Sequence, residues 1–297
     1  PTAIEARWNG GEWTTIDAAP SGGTFSGTLT NQPAGQGTLE VRCANDTTKN
    51  TSVQYVGIGD VFVIAGQSNA SGRGTHQQSY AHATLKAGLF GNDYQWKELA
   101  DPTDDSTNQT DAVSSDGGSE AGSCWPLVAT ELMADQNVPV AFVPCAEGGT
   151  GIAAHWQPGA DHQDRATNYG SMIYRANQVG GVKAVLWQQG EYDALTEMSE
   201  ADYNTNLDTL ANTIASDLGV PLMAAKLHDA SDRDETNVNA AIETAWGDNA
   251  NVLQGPDFSS YTADGDLHFQ SDADLQHQAG TGAEAGWWDA IKAQWYP

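Results

Sequence analysis

Residues 61–69, VFVIAGQSN, carry a five-residue apolar run into a glycine, an amide, a serine and a second amide. A run of this length bounded by Gly reads as a strand buried on both faces, as in a parallel sheet. Open α/β sheets hold their ligands outside the carboxyl ends of the strands, where this polar cluster falls. Ser68 is therefore the candidate nucleophile. Taken alone, a GxSx tetrapeptide is more often an ordinary polar turn, so its meaning depends on the rest of the chain.

Outward from that stretch, the chain alternates strand and helix. Near-continuous apolar segments at 61–65, 138–144, 182–188, 220–227 and 251–254 are expected parallel strands. Helices are expected near 123–136, 171–179, 235–247 and 279–294. The clearest is 200–217, with Ser199 as N-cap, Gly219 as C-cap, and Tyr203, Leu207, Leu210, Ile214 and Leu218 on one face. The pattern predicts an α/β fold, a three-layer α/β/α sandwich around a five-stranded parallel sheet, in residues 58–297. Residues 1–57 differ. Short alternating segments (IEARW, EWTTI, GTFSGTL, GTLEVRC, TSVQYVG) between Gly, Pro, Asn and Asp turns predict a small antiparallel β domain. Residues 74–121 form a long polar interruption, read as a rim facing substrate or as surface decoration.

Twelve Lys plus Arg against 39 Asp plus Glu give a formal net charge of -27, which excludes nucleic acid and anionic membrane as partners. So acidic a surface fits an extracellular or salty setting, with secretion the expectation although the given amino terminus has no signal-peptide pattern. No apolar run approaches the roughly 18 residues that a membrane span requires. The three cysteines, Cys43, Cys124 and Cys145, lack CxxC or zinc spacing and read as free thiols, a Cys124–Cys145 bridge being the alternative. The remaining histidines, His76, His82, His155, His162, His228 and His277, lack metal-ligand spacing, so neither a metal nor another cofactor is expected.

Each later strand end supplies a chemical group. PCAEGGTGIAAHW follows 138–144, and Gly148 and Gly149 there let a backbone amide approach a ligand. QGEYDA follows 182–188 and brings Gln189 and Glu191. ADGDLHFQS follows the last strand, with His268 beside Asp264 and Asp266. A hydroxyl, an imidazole, a carboxylate and oxyanion donors are the set that acyl transfer requires.

GQSN at 66–69, VPCAEGGTGIAAHW at 143–156, VLWQQGEYDA at 185–194 and LHF at 267–269 resemble the signature segments of SGNH hydrolases. The likeness is to the carbohydrate esterase family 6 and sialate O-acetylesterase branch, over about residues 60–295. It implies a flavodoxin-like fold and a serine esterase that deacetylates sugars. It also implies Ser68 as nucleophile, His268 as general base, and the Ser68 amide, a glycine amide (Gly149 preferred) and the Gln189 side chain as the oxyanion hole. One departure matters. The family acid stands three residues before the histidine, where this chain has Gly265 between Asp264 and Asp266. Asp264 is preferred, with Asp266 and Glu191 as alternatives.

Around these, Arg73 reads as a substrate contact or a loop ion pair, and Trp156 as a sugar-stacking wall or a core aromatic. The substrate expected is acetylated carbohydrate, with acetylated xylan ahead of sialate. A lipase or thioesterase of the same superfamily and a non-catalytic carbohydrate-binding module are the competing functions.

Overall fold

The computed structural model describes residues 1–114, 121–282 and 285–297. Strands β1 (Ile4–Trp8), β2 (Thr14–Asp17), β3 (Gly35–Cys43) and β4 (Asp46–Ile58) form an antiparallel sheet of order β2-β1-β3-β4. The period-2 reading holds in β1, where Ile4, Ala6 and Trp8 are buried and Glu5 and Arg7 are half-buried. GTFSGTL does not form a strand; its ordered pairing is a single bridge, Ser21 with Thr24.

β4 leads at Asp60 into β5 (Asp60–Gly66), the centre of the second sheet. After it come α1 (Ser68–Ser71), β6 (Gly88–Phe90), β7 (Trp96–Glu98), α2 (Trp125–Gln136), β8 (Val140–Pro144), α3 (Ile152–His155) and α4 (Asn168–Gln178). The chain continues through β9 (Ala184–Gln188), α5 (Glu191–Leu195), α6 (Glu200–Leu218), β10 (Leu222–Lys226), α7 (Thr236–Asp248), β11 (Val252–Asp257), α8 (Asp272–Ala279) and α9 (Trp287–Trp295). The sheet order is β11-β10-β9-β5-β8-β6-β7. The five expected strands are its parallel body.

Three layers follow from the alternation along each strand. Phe62, Ile64, Phe142 and Leu186 face one way and pack with Trp125 of α2, Leu275 of α8 and Trp287 of α9. Val63, Ala65, Val143 and Trp187 face the other way and pack with Tyr169 of α4, Leu207 and Leu210 of α6 and Ile242 of α7. Each such side chain buried contributes about 1.5–3 kcal/mol. Helix α6 follows its reading closely: Ser199 accepts from the Asp202 amide, and Gly219 closes the helix in the left-handed region.

Two further expectations are corrected. The parallel sheet gains β6, parallel to β8, and β7, antiparallel to β6, from the segment read as loop. Residues 115–120, part of that segment, lie outside the described residues. The helix expected at 279–294 is two helices. α8 begins earlier, at a reciprocal Ser271/Asp274 cap, and ends at Gly280 with φ +88, after which α9 starts beyond Gly286. All three cysteines are free thiols, with Cys124 and Cys145 buried.

Glu235, just before α7, is buried, and its Oε1 has no hydrogen-bond partner. Burial, with the Asp229 charge nearby, pushes its carboxyl up to about 7. The folded protein then holds a proton that the unfolded chain releases near pH 4.5, so this site favours folding at low pH and loses that stabilisation as pH rises through 7. At 1.36 kcal/mol per pKa unit the loss is at most about 3.4 kcal/mol, and solvent screening of a group near the surface reduces it to about 2–3 kcal/mol. Urea unfolding at pH 5 and pH 8 is expected to show Glu235→Gln more stable than wild type at pH 8 and nearly equal to it at pH 5.

Candidate active site

β5 brings the chain to the carboxyl edge of the sheet, and Gly66 turns it. Its φ is +127, and a Cβ there would meet the Gln188 carbonyl oxygen at 2.0 Å, so only glycine passes β9 this closely. Ser68 follows as the first residue of α1. Two helices of one layer, α2 and α8, hold the turn: Trp125 Nε1 donates to the Ala70 carbonyl at 2.7 Å, and Gln278 Nε2 to the Asn69 carbonyl at 2.9 Å.

His268 arrives from the segment between β11 and α8, and its Nε2 lies 2.9 Å from Ser68 Oγ. The hydroxyl and imidazole, 200 residues apart in the chain, are within direct proton-transfer reach. The loop carrying His268 is fixed by two buried carboxyl-bearing networks. In one, the Asn69 side chain donates to Glu191 Oε1 at 2.6 Å and to the Leu267 carbonyl at 3.1 Å, and accepts from the Phe269 amide at 3.2 Å. In the other, Asp274 accepts from the amides of Asp264, Gln270 and Ser271 and from Tyr261 Oη. Burial raises the Asp274 carboxyl, but the donors from Ser271, Tyr261, Asp264 and Gln270 outweigh it and hold the group below its ordinary value.

The three candidate acids occupy different environments. Asp266 takes a left-handed conformation, φ +58, and its carboxylate accepts from the Ser231 amide at 2.8 Å and the Ser231 hydroxyl at 2.6 Å. Glu191 is buried on Asn69. Asp264 is exposed, and its carboxylate accepts no hydrogen bond among the described residues.

Gln189, expected to donate to the oxyanion, is fully buried. Its Nε2 donates to Asp193 Oδ2 at 2.5 Å, to the Thr150 carbonyl at 2.8 Å and to Gln67 Oε1 at 3.2 Å, which occupies both N–H groups within the protein. Its Oε1 accepts from Tyr203 Oη at 3.1 Å. Burial raises the Asp193 carboxyl in this network above its ordinary value.

Trp156 is likewise no sugar wall: it is 0% exposed, packs edge-on against Trp187, and donates Nε1 to Thr150 Oγ1 at 2.9 Å. Arg73 turns onto its own loop, with Nη1 donating to the Gly72 carbonyl at 2.7 Å and to Ser71 Oγ at 3.2 Å. Gly148 is half-buried. Gly149 is exposed at φ +73, with open space where a side chain would stand.

Two residues of the site have no role in the sequence reading. Asn69 stands in the GQSN segment without an assigned function. Asp274 was readable from Ser271-x-x-Asp274, a helix-capping pattern that also explains part of the acidic stretch after His268.

The α/β/α sandwich with its serine and histidine at the carboxyl edge of the sheet is the arrangement of SGNH-type esterases. Residues 58–282 match the family described as "Carbohydrate esterase, sialic acid-specific acetylesterase", and the chain belongs to that family. A relative named "Probable carbohydrate esterase" from Arabidopsis thaliana is 26% identical over 181 residues, 54% of this chain and 65% of the relative. The solved structure of an Arabidopsis thaliana protein superposes with a TM-score of 0.56 at 23% identity, covering 73% of this chain and 93% of that one. A carbohydrate acetylesterase structure from Xanthomonas citri gives the same TM-score, 0.56, at 20% identity, covering 86% of this chain and 62% of that one.

Because Asn69 joins α1, the start of α5 and the His268 loop, Asn69→Ala leaves a buried carboxylate and a buried amide without partners. Urea denaturation is expected to show a loss of about 2–3 kcal/mol. A change below 0.5 kcal/mol would show that this clamp is not what fixes the loop.

Proposed function

We propose that this protein is a serine esterase that removes O-acetyl groups from carbohydrate through an acyl-enzyme, with acetylated xylan or a related polysaccharide as substrate. The observation that carries this reading is the 2.9 Å contact between His268 Nε2 and Ser68 Oγ.

In the mechanism, Ser68 Oγ attacks the acetyl carbonyl carbon while its proton passes to His268 Nε2. The backbone amides of Ser68 and Gly149 donate to the oxygen that becomes negative. The tetrahedral intermediate collapses, the sugar oxygen leaves with the proton from His268, and Ser68 is left acetylated. Water then attacks with His268 as base, and acetate departs. Asp264 serves as the acid that steadies the imidazolium: the Asp266 carboxylate is taken up by Ser231, and Glu191, although its Oε2 has no partner among the described residues, is tied through Oε1 to Asn69.

Charge supports a neutral sugar polymer over sialate. A chain with a formal charge of -27 repels a sialic acid carboxylate, whereas acetylated xylan presents neutral hydroxyl and acetyl groups. The family's description names sialic acid, which keeps O-acetyl sialate as the second reading.

Acetate release from p-nitrophenyl acetate, acetylxylan and O-acetyl sialate tests the proposal. Wild type is expected to turn over acetylxylan faster than sialate, and Ser68→Ala to lose at least about 10³-fold in kcat. Preferred hydrolysis of long-chain esters would favour a lipase, and binding without turnover a carbohydrate-binding module. For the acid, Asp264→Asn is expected to cost about 10²–10⁴ in kcat and Asp266→Asn less than tenfold; the reverse order would transfer the role.

A further inference from the structure

We infer that the ring of Tyr192 is the platform on which the sugar of the substrate stacks, the aromatic wall that buried Trp156 does not provide. This rests on the esterase reading above and concerns how the same site selects a sugar ester over other acetates.

A wall for sugar needs a large ring that is open to water, firmly seated, and close to the nucleophile. Among the described residues, four large aromatic rings are exposed: Phe25, Tyr55, Trp96 and Tyr192. Phe25 and Tyr55 belong to the small domain, and Trp96 lies on β7, three strands from β5. Tyr192 is different. It is the second residue of α5, just past the carboxyl end of β9, the strand beside β5, and it is 37% exposed. Its backbone amide donates to Gln67 Oε1 at 3.2 Å, and Gln67 directly precedes Ser68.

The ring is also seated. A Cβ built on Gly151 would meet Tyr192 Cδ1 at 2.7 Å and Cε1 at 3.0 Å, so the ring lies directly on the Gly151 backbone, two residues from Gly149. His155 stands edge-on against it, with ring centroids 6.3 Å apart and planes at 85°. A ring held in place before the ligand arrives loses little rotamer freedom on binding, so more of its contact energy reaches affinity. The C–H groups on one face of a pyranose carry partial positive charge and suit the negative face of an aromatic ring, while hydroxyls around the sugar's rim keep their water. Such stacking needs no charge on the ligand, which suits a neutral sugar on a chain of formal charge -27. An acetate ester without a sugar has no such face to offer. Because the sugar stacks equally before and during acetyl transfer, the platform lowers KM and leaves kcat to the reacting groups.

The test measures acetate release from an acetylated xylo-oligosaccharide and from ethyl acetate, which has no ring, by wild type, Ser68→Ala, Tyr192→Ala and Tyr192→Phe. Tyr192→Ala is expected to raise KM for the oligosaccharide at least about tenfold with kcat within about threefold, and to lower the ratio of kcat/KM for oligosaccharide over ethyl acetate at least about tenfold. Tyr192→Phe keeps the ring, and its ratio is expected to stay within about threefold of wild type. In the inactive Ser68→Ala background, calorimetric titration with the same oligosaccharide is expected to show binding at least about tenfold weaker once Tyr192→Ala is added. A Tyr192→Ala ratio within about threefold of wild type, whether or not both rates fall together, overturns the platform and leaves the esterase reading standing. Wild-type turnover that Ser68→Ala retains removes both.

Discussion

A buried carboxylate holding a buried amide is the contact on which this site depends. Glu191 is 1% exposed and Asn69 is 2% exposed. Between them they join the end of β9, the turn after β5 and the loop that follows β11. The 2.6 Å bond from Asn69 to Oε1 offsets part of the cost of desolvating Glu191, whose Oε2 is buried without a partner among the described residues. Asn69 has one orientation that satisfies Glu191, the Leu267 carbonyl and the Phe269 amide together. The residue after the nucleophile therefore sets where the base can be. Ser68 and His268 meet because a neighbouring polar pair leaves their backbones little freedom, and their own single hydrogen bond adds little to that constraint.

How much of this was legible in the sequence varies with the physical origin of each element. Helix α6 was fully legible, since Tyr203, Leu207, Leu210 and Ile214 repeat at helical spacing and Ser199 and Gly219 mark its ends. The strands β5, β8, β9, β10 and β11 were legible because burial on both faces demands unbroken apolar runs. β6 and β7 were not. Each is three residues long, and its state is set by a neighbour, as in the pairing of Leu89 with Phe142, so no periodicity exists to read. The last helix was misread because the apolar pattern around Leu275, Ala279, Trp287 and Trp288 continues across a break that Gly280 and Gly286 impose.

The site divides similarly. The pairing of Ser68 with His268 was legible from the groups that several strand ends supply together, since neither residue alone points to it. Gln189 shows the limit: composition reveals that an amide can donate but not which way it faces. A fully buried NH₂ with Asp193 and a carbonyl in reach turns to them. Trp156 shows the same limit for aromatics, since a ring suited to stacking on sugar is equally suited to packing on Trp187.

The acidic surplus bears on function less directly than a net charge suggests, because many of these carboxylates have local structural work. Asp17, Asp46, Asp93, Asp161, Asp164, Asp234 and Asp257 each accept from the backbone amide two residues later, the hydrogen bond that closes an Asx turn. Asn could make most of these turns without charge, so the choice of Asp carries a repulsion that turn chemistry does not require. That repulsion is tolerable where the surface meets water and salt, and it acts at a distance on any ligand approaching the sheet's carboxyl edge. A neutral acetylated polymer feels little of it, whereas an anionic sugar must overcome it before reaching Ser68.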